Sequence, residues 1–133
     1  MNSLKLWLAL RVHGRQAYEE LEDRQIELAR CFAQWVEASD NFELAAPQVL
    51  PILNLRRRAP GISAQETRAW HAAMIEEVNL DGQRWISGAT VNGESVIRTM
   101  IISYLTSIRH LEGLWEALQA AALKIGPVAT VRA

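Results

Sequence analysis

RWISGATVNGESVIRTMIIS, residues 84–103, is the stretch whose reading decides the fold. Two runs rich in β-branched residues flank Asn92-Gly93. Asn-Gly is the pair that best tolerates the positive φ required at both positions of a tight two-residue turn. The stretch therefore predicts a hairpin, with strands over about 84–91 and 94–103. Asp81-Gly82 marks the turn that precedes it.

Working outward, Ser63 with Glu66 three residues later forms a capping box that opens a helix running to about Val78, after the loop Ala59-Pro60-Gly61. Upstream the period is two: Phe42 and Leu44 alternate around Glu43, and Ile52-Leu53-Asn54-Leu55-Arg56 forms a second strand. Pro47 and Pro51 belong at a kink or edge, because proline cannot donate to a ladder. The first third is helical by pattern, with Leu21, Leu28, Phe32, Trp35 and Val36 on one face over about 15–38, closed by Ser39-Asp40-Asn41. Gly14 separates this helix from a first amphipathic segment carrying Leu4, Trp7, Leu8 and Arg11. Downstream of the hairpin, Thr106 or Ser107 caps a last helix bearing Ile108, Leu111, Trp115, Leu118 and Ala122, which Gly126-Pro127 ends. The order α-α-β-β-α-β-β-α implies an α+β fold: an antiparallel sheet of about four strands with helices on one face.

A chain of 133 residues, 50% hydrophobic and 22% charged, suits one small domain spanning 1–133. A net charge of −1 gives no electrostatic case for nucleic acid or an anionic membrane. No apolar run approaches the ~20 residues of a membrane span, and Leu6–Leu10 is too short for a signal peptide. Cys31, the single cysteine, excludes an intrachain disulfide and suits a reducing, cytoplasmic setting. In the helical stretch it reads as a buried small hydrophobe. His13, His71 and His110 lack metal-ligand spacing and read as partly exposed helical residues. The five tryptophans fall one per element and suit core or interface packing. Arg56-Arg57-Arg58 at a strand end reads as a solvated charge run, with phosphate or nucleic-acid contact as the alternative.

Arg98 is different, because it interrupts Val96-Ile97-Arg98-Thr99-Met100-Ile101-Ile102 on the face that alternation shares with Val96, Met100 and Ile102. A guanidinium cannot shed its proton, so on such a face it needs an anionic partner, and its planar fork favours a carboxylate. That partner is either an Asp or Glu within the fold or a substrate.

Three stretches resemble the C-terminal domain of the group II pyridoxal-phosphate-dependent amino-acid decarboxylases, the family of the aromatic-L-amino-acid, histidine and glutamate enzymes. Ser3-Leu4-Lys5-Leu6-Trp7-Leu8-Ala9-Leu10-Arg11-Val12-His13-Gly14 is similar to the family's LKLW helix. Phe42-Glu43-Leu44 and Ile52-Leu53-Asn54-Leu55-Arg56 resemble its FELV-like and LVCFRL strands, with Asn54 where cysteine is common. Gly93-Glu94-Ser95-Val96-Ile97-Arg98 resembles its "G, two residues, VLR" strand, with Ser103 at the position of a usual Asn.

The resemblance implies a small domain that packs on a large PLP-binding domain and closes one side of the active site, with Arg98 holding the substrate carboxylate. Arg11 and Arg56 match family arginines and take structural roles at the domain junction. The family's catalytic lysine and the groups that hold the cofactor lie in the large domain. Lys5 and Lys124, the only lysines, match none of them, so the resemblance implies PLP in the complete enzyme, none bound by this chain alone, and no decarboxylation without the large domain. The apolar helix over 1–14 is then an interdomain or dimer contact, and self-association through it is expected. The competing reading is a non-catalytic α+β dimerisation or regulatory module.

Overall fold

In the computed structural model, which describes residues 2–126, the chain opens with α1, Asn2–Glu37. Gly14 breaks its path with φ 74° and ψ 167°, so two helical segments are joined at the expected glycine. Four strands follow around the second helix: β1 Phe42–Leu44, β2 Ile52–Arg57, α2 Ala64–Asn79, β3 Ser87–Val91 and β4 Glu94–Met100, before α3 Ile108–Ile125. Pro127, the expected stop after α3, lies outside the described residues.

The sheet is antiparallel with spatial order β1-β2-β4-β3, so the hairpin β3–β4 docks through β4 onto β2. Alternation along the strands separates two faces. Leu53, Leu55, Ile97 and Thr99 point to the helical side, where they meet Phe32 and Val36 of α1, Trp70 and Met74 of α2, and Leu118 of α3 in a buried layer. The opposite face, bearing Asn54, Arg56, Val96, Arg98 and Met100, carries no helix among the described residues.

Local chemistry explains the boundaries. Ser63 accepts from the Glu66 amide while the Glu66 carboxylate accepts from the Ser63 amide, which starts α2 where expected. Two strands are shorter than the sequence pattern suggests. The Asn79 side chain bonds both backbone groups of Ile86, at 2.9 Å each, taking that residue out of the ladder and delaying β3 to Ser87. The amide of Ile101 donates to the Pro51 carbonyl at 2.8 Å, but proline has no N–H to return, and β4 stops at Met100.

The hairpin turn has φ 52° at Asn92 and 83° at Gly93, as its two-residue geometry demands. A Cβ at position 93 would meet nothing within 4 Å, so any penalty there is backbone strain. Gly93→Val is expected to destabilise the domain by about 1–2 kcal/mol in urea unfolding. A loss under a few tenths would show that the turn relaxes.

Candidate functional site

Arg98 lies on the central strand β4, on the helix-free face, opposite Asn54 on one side and Ser87 on the other. It is half-buried, and its Nε donates to Asn54 Oδ1 in a long contact of 3.4 Å. No carboxylate of the described residues comes within ion-pair distance of it. The reason is visible along the same face. The four strands carry only two carboxylates, Glu43 and Glu94, and Arg56 holds both: its Nε reaches Glu43 Oε1 at 2.7 Å and its Nη1 bonds Glu94 Oε2. Hydrogen bonds to Glu94 and then Glu43 push the Arg56 guanidinium above its usual value. Of the two partners open from sequence, an internal Asp or Glu is therefore absent among the described residues, and an amide oxygen stands in its place.

Val96, fully buried yet outside the helical-side core, separates this ion cluster from Arg98 along β4. Beyond Arg98 the face turns apolar and open: Met100 is 48% and Ile102 65% exposed, and Leu50 precedes the Pro51 carbonyl that pairs with Ile101. The arrangement is a fixed cation with donors to spare, beside exposed apolar surface. Chemically it can hold and orient a carboxylate.

A second exposed apolar surface is the N-terminal arm of α1, residues 3–13, where Leu6, Trp7 and Val12 are more than half exposed and Arg11 lies 5.6 Å from the centre of the Trp7 ring. Only the later part of α1, from about Gln25, enters the core.

Several residues sit elsewhere than their sequence pattern suggests. His71 is 1% exposed, because it shares the inner face of α2 with Trp70 and Met74. Its Nε2 accepts the Arg57 amide at 3.1 Å and its Nδ1 lies 3.3 Å from Ser95 Oγ, a pattern that fits the neutral ring protonated on Nδ1. Burial, reinforced by the charges of Arg57 and Arg56, pushes it down to about 4. Cys31 is half-buried, at the margin of the α1 face that carries Phe32. Of the tryptophans, Trp70, Trp35 and Trp115 pack in or against the core, whereas Trp7 and Trp85 are exposed. The arginine run is not uniformly solvated: strand alternation sends Arg56 to the open face and Arg57 to the helical side, over Trp70, leaving Arg58 exposed. That split was readable from the alternation of Leu53 and Leu55. Asn54 as the partner of Arg98 had no sequence signal.

Among the described residues, no three His, Cys, Asp or Glu side chains form a cluster able to hold a metal ion. No described helix is long and apolar enough to cross a membrane.

No family model matches the chain. It is 28% identical over 123 residues to tryptophan decarboxylase 2 of Oryza sativa subsp. japonica, covering 92% of this chain and 25% of that protein. Against tyrosine decarboxylase 1 of Narcissus pseudonarcissus it is 28% identical over 129 residues, 91% of this chain and 25% of the relative. The fold matches that of Oryza sativa TDC, solved with PLP and tryptamine, at a TM-score of 0.82 and 23% identity over 92% of this chain and 26% of that one. The chain thus spans about a quarter of the length of the curated relatives it matches.

Proposed function

We propose that this chain, whose homologues are group II pyridoxal-phosphate-dependent aromatic amino-acid decarboxylases matched in their C-terminal region, works as the small domain of such a carboxy-lyase. In this reading it packs on a large PLP-binding domain and helps to close the active site, where Arg98 binds the substrate carboxylate. One observation carries the proposal: Arg98 is a half-buried, permanent cation on a face that, among the described residues, has no helix over it and gives it an amide oxygen for a partner and no carboxylate. The apolar surface around Met100 and Ile102, together with the arm over residues 3–13, supports burial against another domain or a second copy.

The residues of this chain do not fit the cofactor themselves. Pyridoxal phosphate is held through a lysine amine, but Lys124 Nζ is closed on both carboxylate oxygens of Glu77 at 2.7 Å, and Lys5 stands on the exposed arm. The electron-sink chemistry therefore belongs to the large domain. What this chain contributes is orientation: a guanidinium fork fixes both oxygens of a carboxylate, and apolar cover excludes water around it.

The test is co-expression with a large-domain chain read from the DNA beside this coding sequence, assayed by CO2 release from aromatic amino acids. Activity is expected only with both parts, and Arg98→Gln is expected to raise KM about tenfold or more by removing a charge-assisted pair. The chain alone is expected to self-associate at micromolar concentration in light scattering, and to be monomeric once the large domain covers the arm. Activity indifferent to Arg98, or a neighbouring DNA that encodes no such domain, would favour the non-catalytic module.

A further inference from the structure

A cavity of about 550 Å³ opens at the hairpin-turn end of the sheet, between the end of β2 and the start of α2. It lies away from Arg98: Glu94 lines it, and the four residue steps along β4 from Glu94 to Arg98 span on the order of 13 Å. Four arginines line it, Arg56, Arg57, Arg58 and Arg68, against two glutamates, Glu43 and Glu94. Both glutamates are taken by Arg56. Arg57, Arg58 and Arg68 meet no carboxylate within ion-pair distance among the described residues.

Arg57 is the informative member. Its guanidinium carbon stands 4.7 Å from the centre of the Trp70 ring, its main chain is tied to His71, and its Nη1 is buried without a hydrogen-bond partner. Burial lowers its affinity for a proton, yet a guanidinium stays charged at neutral pH. A cation on an aromatic face, beside two like charges and with no counter-ion among the described residues, is a costly arrangement for a surface that only has to be solvated. An anion in the cavity would offset it through space, without touching Nη1. Ala64, in the first turn of the sixteen-residue α2, lines the same wall, although the Glu66 carboxylate already caps that end of the helix.

We propose that this cavity binds a phosphate dianion, as carried by a small phosphate ester. The charge surplus of the lining matches two negative charges. Three guanidinium-bearing residues, from β2, the following loop and α2, line the one cavity, and their number suits the several oxygens of a phosphate better than the single edge of a carboxylate.

The test follows the Arg57 Nε–H and Trp70 indole N–H signals of the 133-residue chain by NMR at pH 7.5. The chain is titrated at constant ionic strength with inorganic phosphate, pyrophosphate or acetate. Saturable shifts with a Kd of about 1 mM or tighter are expected for the phosphates and not for acetate. Arg58→Gln and Arg68→Gln alter exposed side chains and leave the core intact; each is expected to weaken binding about tenfold. Shifts that never saturate, acetate binding as tightly as phosphate, or an unchanged Kd in both variants would overturn the proposal.

Discussion

Replacing Phe42 by alanine is expected to destabilise the domain by about 3–5 kcal/mol, the largest effect of any single substitution considered for this chain. Phe42 is fully buried on β1, a strand of only three residues. Its ring lies 5.9 Å from Trp70 of α2 and 5.8 Å from Trp115 of α3, so one side chain joins the edge of the sheet to two helices. Phe32 of α1 also meets Trp115, edge to face at 5.8 Å. Truncation therefore removes both the transfer free energy of the ring and the aromatic contacts around the void, which a short edge strand is poorly placed to fill by moving. A domain of this size has about 5–15 kcal/mol in total, so the variant should unfold at much lower urea concentration. Trp85→Ala, at an 80% exposed position, is the control and should change stability by less than about 0.5 kcal/mol. A Phe42→Ala loss under about 1 kcal/mol would mean that the aromatic cluster does not hold the layers together.

The elements that were legible in the sequence are those specified by neighbouring residues. Asn92-Gly93 sets its own backbone geometry, and Ser63 with Glu66 closes a capping box within one helical turn, so both boundaries fall where the pattern puts them. The strand ends were not legible because distant groups set them: Asn79 removes Ile86 from β3, and Pro51 ends the pairing of β4. The same division runs through the site. Alternation alone placed Arg98 on the face of Val96 and Met100. Its lack of a carboxylate partner among the described residues depends on Arg56 having claimed Glu43 and Glu94 across three strands, a competition no local pattern encodes. Burial of His71 likewise follows from which side of α2 meets the sheet, and from an amide and a hydroxyl contributed by β2 and β4.

That buried imidazole makes the stability of the domain depend on pH. In the fold His71 protonates near 4, against 6.5 for an ordinary histidine, chiefly because burial disfavours the charged ring. Protonation would also put a proton on Nε2, facing the Arg57 N–H that now donates to it. The unfolded chain therefore binds more protons than the folded one between these two values, and stability falls as the pH drops through that window. The full difference amounts to roughly 3 kcal/mol, of which about 2 kcal/mol should be lost between pH 7 and pH 5, above the range in which most carboxylates titrate. Urea unfolding across that interval measures it. His71→Phe cannot accept the Arg57 N–H and should be less stable at pH 7, but it should lose most of the slope, since the neutral ring no longer has to be protected from protons. A slope that survives in His71→Phe would assign the acid sensitivity to another group. A wild-type stability that stays level from pH 7 to pH 5 would mean that the inner face of α2 opens readily enough to hydrate the ring.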